Sequence, residues 1–303
     1  MSSNFSIKQI YFFYIMSMFI LPMGFLIRML YTKTISAQDV GIIYSLISFF
    51  GLFGFLVRLG LPGSLRYHIP KELLKNNFQT IRNLVHYTFI YQFISILSLA
   101  ILFLLTSNFF TENFFNEQRF YDFFLIFILY FVFLNLYTTL TEVFVAYKMN
   151  FYYQTLNFIQ LFLILSGSFL FFILDFSNLS YLYAFLWGIS PGVVFILYIV
   201  LLIIKFPYLF SLPNFDNILL KKHFTYSFFL FFSSIGMTIL SKIDVLMVTY
   251  FLSAQSVAYY TNSTALINVI VSFIVSLNLI LMPLFSELYE KNKISSLSKI
   301  ISE

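Results

Sequence analysis

The stretch SAQDVGIIYSLISFFGLFGFLVRLGL, residues 36–61, opens with a short polar hinge and then stays apolar to its end, with Arg58 the one charge after Asp39. A run of about 20 apolar residues, at 1.5 Å rise per residue, makes a helix long enough to cross the ~30 Å hydrocarbon core of a bilayer. Besides residues 40–61, seven more such runs obey the same rule: residues 10–31, 84–106, 121–146, 155–174, 181–204, 224–252 and 257–284. The pattern predicts an all-α integral membrane bundle of about eight transmembrane helices. The first run is too long for a signal-peptide core and has no small-residue cleavage site after it, so it reads as a helix of the mature protein.

Composition agrees. The chain is 60% hydrophobic and 10% charged, far from the roughly 25% charged residues of soluble domains. There are no cysteines, which removes disulfides and thiolate metal sites. The 44 Phe and 22 Tyr are read as lipid-facing filler rather than as a surface for stacking substrates. The net charge of +5 is explained by position. Twelve Lys and Arg residues between Lys8 and Lys299 fall on the side of the amino terminus, whereas Lys33 and Arg119 alone fall on the other. That bias predicts a cytoplasmic-membrane protein with its amino terminus in the cytoplasm, and it accounts for the basic balance without nucleic acid.

The hinge recurs. SAQSVAYYT, residues 253–261, repeats SAQ and again continues with Val and a small residue, Ala258 in place of Gly41. Both copies join two apolar runs, and each second run ends in a proline, Pro62 or Pro283. Ser36 is placed to cap the following helix, with Asp39 three residues on completing a capping box; in the second copy Ser256 replaces the acid. Same-orientation repeats need an even number of helices, and the two-proline connection of residues 205–223 divides the runs six plus two. The expected organisation is a six-helix bundle over residues 1–205 and an incomplete second bundle over residues 206–303. The connection of residues 62–83 is expected to be partly helical along the membrane surface.

These hinges, with LVRLGLPGSLRYHIPK (residues 56–71) and SKIDVLMVTYFLSAQSVAYYTNSTALI (residues 241–267), make the chain resemble the Wzx-type polysaccharide flippases. Those belong to the multidrug/oligosaccharidyl-lipid/polysaccharide exporter superfamily. The resemblance implies two six-helix bundles related by a pseudo-two-fold axis, and a lipid-linked oligosaccharide as cargo for surface polysaccharide synthesis. It also implies membrane lipid and polysaccharide polymerase or glycosyltransferase machinery as partners. The chain departs from the pattern by stopping at Glu303, after two helices of the second bundle, and on this reading is carboxy-terminally truncated.

Ionisable residues inside the spans cost about 2.5–3.5 kcal/mol each on insertion scales and therefore need a reason. Arg28 follows a Pro22–Gly24 kink and reads either as a cavity residue that holds an anion through its fork of donors or as a side chain snorkelling to the outer face. Lys242 is too deep to snorkel and reads as a cavity residue. Asp244, two positions on and therefore on another face, reads as a cavity residue or as an ion-pair brace for Arg28. Arg58 and Glu142 stand near the inner ends of their helices and read as anchors, Glu142 with Lys148 as its partner, and Arg66 lies in a basic inner loop. Gly188, Pro191 and Gly192 mark a bend that either rocks the bundle or merely packs it. No phosphate-cradling glycine loop and no nucleophile elbow is present, and His68, His86 and His223 lack ligand spacing. Neither an enzyme nor a cofactor is expected. A flippase is the leading reading. A cation-coupled drug exporter, which wants an acid in the first helix where this chain has Arg28, and a non-transporting fragment are the alternatives.

Overall fold

The computed structural model of the chain describes residues 7–214 and 216–267. All regular structure among them is helical. The order is α1 (Ile7–Thr34), α2 (Ala37–Arg58), α3 (Leu61–Leu74), α4 (Phe78–Leu105), α5 (Ser107–Asn113), α6 (Phe120–Ala146), α7 (Asn150–Ile173) and α8 (Leu179–Lys205). A 3-10 turn (Pro207–Phe210), α9 (Asn217–Phe251) and α10, described over residues 254–267, complete it. Six of these helices, α2, α4, α6, α7, α8 and α9, are long and apolar enough to cross a membrane. With α1, a helix of 28 residues, they match seven of the eight runs in the sequence. Most of the eighth run, including Pro283, lies outside the described residues.

The connections obey local chemistry. Ser36 caps α2, its hydroxyl accepting the Asp39 amide at 3.1 Å, and Ser253 does the same for Ser256 at 3.2 Å, so the duplicated hinge is a duplicated N-cap. At the other end of α2 the backbone turns through Leu59 (φ 40°) and Gly60 (φ 72°), the left-handed geometry that ends a helix, and α3 begins at once. At 14 residues α3 is about 21 Å long, too short to span, as expected for a surface helix. The starts of α4, α7 and α9 come earlier than the apolar runs place them. Asp216 caps α9 by accepting the amides of Ile218 and Leu219, so this helix starts at Asn217 rather than at residue 224 and carries Lys221, Lys222 and His223 within it.

Helices α6 and α8 pack against each other, with Gly188 against Ile126 and Gly192 against the Phe133 ring, each at 3.2 Å from where a side chain would begin. Pro191 is buried inside an uninterrupted α8, so this stretch is a close-packing face. Pro22 likewise lies within an unbroken α1, and a Cβ at Gly24 would meet no atom of another part of the described chain within 4 Å. The aromatic residues divide. Phe49, Phe50, Phe103, Phe124, Phe127 and Phe131 form a buried cluster between α2, α4 and α6, with edge-on pairs such as Phe50–Phe103 at 5.2 Å and Phe103–Phe131 at 5.4 Å. Each such pair adds about 0.5–1.5 kcal/mol beyond its buried area. Lipid-facing filler therefore describes Phe162, Phe169 and Phe232 but not this core. In a bilayer, where helices gain little from the hydrophobic effect, interlocked rings and close glycine contacts supply the packing.

Candidate functional site

Helix α2 is zipped to α9 along its length. Where α9 gives way to α10, Gly41 meets the backbone of Ala254, the first residue of α10, so closely that a Cβ would stand 1.6 Å from its carbonyl oxygen. Next, Ser45 and Thr249 share a hydroxyl hydrogen bond of 2.9 Å. Further on, Lys242 crosses from α9 to lie over Gly51, with its Cε 3.2 Å from the notional Cβ. Phe55 and Phe231 come next at 5.9 Å, and Gly60 then abuts the Ser227 carbonyl.

This seam gathers cations. The guanidinium of Arg28 in α1 sits 4.5 Å from the centre of the Tyr44 ring and donates to the Thr261 carbonyl of α10. Tyr44, Gly51 and Arg58 are seven residues apart in turn, so they share one stripe of α2 at steps of about 10 Å. Arg28 lies over the first, Lys242 over the second, and Arg58 is itself the third. The ion pairs found among the described residues are Arg66–Glu142, Lys75–Glu72 and Arg119–Asp39; none involves Arg28, Lys242 or Arg58.

The other site expectations fare differently. Asp244 does not brace Arg28: it is exposed, and its carboxylate accepts the Tyr260 hydroxyl and the Val245 amide. Two residues along a helix is about 200° of rotation, which turns it off the Lys242 face. Arg58 does not reach for head groups. It folds back along its own helix, donating through Nε to the Gly54 carbonyl at 3.0 Å beside Asn135, because Gly54 leaves room for the guanidinium. Glu142 pairs with Arg66 rather than Lys148, through Nε and through Nη2 at 2.6 Å. Helix α3 runs beside α6 and brings Arg66 across, while Lys148 turns away in a left-handed bend at φ 60°.

Sequence reading missed two clusters. At the hinge, Asp39 is 3% exposed and its carboxylate binds Arg119 at 2.8 Å and Ser180 at 2.6 Å rather than reaching back to the Ser36 amide as the capping box would have it, so it ties α2 to the start of α6 and α8. At the α3 end, the buried His223 bonds Ser64 of α3 (2.8 Å) and Thr88 of α4 (2.9 Å), with the His68 ring 5.7 Å away. No local spacing reveals either, since each joins residues more than 75 positions apart. No group of three or more His, Cys, Asp or Glu that could hold a metal exists among the described residues. A cavity of about 690 Å³ lies at this α3 end, away from Arg28 and Lys242, lined by Tyr67, His68, Lys221, Lys222, Thr225 and Tyr226 among others.

Comparison with known proteins agrees with a membrane bundle of this kind. The family described as polysaccharide biosynthesis protein matches over residues 7–289. An uncharacterized membrane protein, MJ1068, of Methanocaldococcus jannaschii is 23% identical over 297 residues, covering 91% of this chain and 57% of its own length. The chain thus spans little more than half of that relative. No solved structure matches. A many-helix apolar bundle matched by one family model along nearly its whole length places this chain in the polysaccharide biosynthesis protein family.

Proposed function

We propose that the chain takes part in flipping an anionic lipid-linked oligosaccharide, a polyprenyl-pyrophosphate sugar, across the cytoplasmic membrane. One observation carries this reading: three cations, Arg28, Lys242 and Arg58, are stacked along one stripe of α2 without an ion-paired acid among the described residues. A cation at membrane depth is costly unless an anion or water meets it, and a row of cations along α2 offers a diphosphate successive stations while its polyprenyl tail stays in lipid. Arginine suits this task because its planar fork grips phosphate through two donors at once. The α2–α9 seam joins the helices of residues 1–205 to α9, and is the natural surface along which two halves would part. The charge bias puts the α3 end in the cytoplasm.

The test is a flipping assay in proteoliposomes with a fluorescent polyprenyl-pyrophosphate sugar, comparing Arg28→Gln, Lys242→Gln and Arg58→Gln with the parent chain. Each neutral variant should slow flipping about tenfold or more, the equivalent of about 1.4 kcal/mol. Unchanged rates in Arg28→Gln and Lys242→Gln would remove the ladder from the mechanism.

A further inference from the structure

We propose that the cavity between α3 and α9 is a binding site for the phosphate headgroup of an acidic membrane lipid, separate from the cation ladder. Two helix faces build it with matching spacing: Tyr67 and His68 on α3, with Lys71 one turn on, and Lys221, Lys222, Thr225 and Tyr226 on α9. The walls are held in place. Tyr67 and Tyr226 stack at 4.4 Å and 13°, and the Lys71 ammonium lies 3.6 Å from the centre of the Tyr67 ring. Lys221, Lys222 and Thr225 thus line the cavity with Lys71 on the Tyr67 ring beside it, and the cavity-lining residues include no carboxylate.

A second observation points to an occupant. His68 lines the cavity, is only 7% exposed, and its Nε2 has no hydrogen-bond partner among the described residues. A buried ring nitrogen without a partner is expensive; it is sealed from the open space of the cavity, so a phosphate oxygen beside the ammonium groups would meet it only once the ring turns toward them. The rim favours a lipid over a free ion. Ile218 is 83% and Phe229 71% exposed on the same α9 face, an apolar margin suited to acyl chains. Lys221 and Lys222 stand in the second turn of a spanning helix, at the depth of headgroups.

The experiment uses the full chain purified in zwitterionic detergent, with short-chain phosphatidylglycerol as probe and binding read by native mass spectrometry. Short-chain phosphatidylcholine and inorganic pyrophosphate are the comparison arms. Phosphatidylglycerol should bind in preference to phosphatidylcholine, and pyrophosphate should not displace it. Each lysine near a membrane surface contributes about 1 kcal/mol toward an anionic lipid, about fivefold in affinity. Lys71→Gln combined with Lys222→Gln should therefore weaken binding about 25-fold, while Lys75→Gln combined with Lys148→Gln, an equal charge change outside the cavity, should stay within about twofold. Equal binding by the cavity variant, equal loss in the control variant, or displacement by pyrophosphate would each overturn the proposal. No transport is measured, so the outcome is independent of whether the chain flips a lipid-linked sugar.

Discussion

Gly41, packed on Ala254 at the start of α10, offers the sharpest test of how α2 seats against α9 and the hinge that follows it. A Cβ at this position would lie 1.6 Å from the Ala254 carbonyl oxygen, whereas carbon and oxygen in contact stay about 3.3 Å apart. Both are held by backbone, so Gly41→Ala forces the helices about 1.7 Å apart at the hinge. Gly51, where Lys242 crosses, is about 15 Å along α2 and Ser45 about 6 Å along it. Tilting about the Lys242 contact moves Ser45 outward by about 1 Å. The Ser45–Thr249 bond then lengthens from 2.9 Å to about 3.9 Å and is lost. An interhelical hydrogen bond in a bilayer is worth about 0.6–1.7 kcal/mol, so the closed seam should lose about threefold to twentyfold in population. The chain has no cysteine, so Ser45→Cys with Thr249→Cys gives a clean disulfide reporter of closure. Cross-linking should be fast in the parent background and slower with Gly41→Ala, because the extra ~1 Å between the helices at this level takes the cysteine pair away from disulfide geometry. It should be unchanged with Gly24→Ala, where a Cβ meets no atom of another part of the described chain within 4 Å. Wild-type cross-linking in the Gly41→Ala background would refute this account of how the seam closes.

Two further outcomes come from the missed clusters. Arg119→Gln leaves the Asp39 carboxylate, 4% exposed, without its ion pair, and should cost about 1–3 kcal/mol; the 45% exposure of Arg119 keeps this below the cost of breaking a fully buried pair. Thermal melts in detergent should show the loss, with Arg119→Lys intermediate, and an undiminished melting temperature would count against a structural role for the pair. Burial, then the charges of Lys222 and Lys71, opposed by Glu72, lowers the His68 pKa below its ordinary 6.5, with the His223 ring packed alongside. The unfolded chain then takes up this proton first as pH falls, so the His68 contribution is full above pH 6.5 and declines below it. Melts at about pH 7.5 and about pH 5.5, either side of the ordinary histidine pKa, should drop more for the parent than for His68→Gln; equal drops would show that His68 does not titrate in this window.

The membrane class and nearly every helix were legible in the sequence because they depend on local quantities: the length of apolar runs, the serine before α2 and before α10, the glycine after α2. Even the duplicated hinge could be read as a capping device from a handful of neighbouring letters. The early starts of α4, α7 and α9 were not legible from apolar runs, because the first turns of these helices are polar; α9 begins at the Asp216 cap and carries Lys221 and Lys222 in its second turn.

Local chemistry along the chain, then, set where the apolar spans lie and which serines and aspartate cap them. Which residues meet was settled by packing. Glu142 chose Arg66 over Lys148, Asp244 chose Tyr260 over Arg28, and His68 and His223 came together beside Lys71, Lys221 and Lys222, because helix packing sets partners by the rotation and height of whole helices. A charge can be placed in a span by counting, but the side it faces depends on whether a glycine such as Gly51 or Gly54 in the neighbouring stretch of helix leaves room for it.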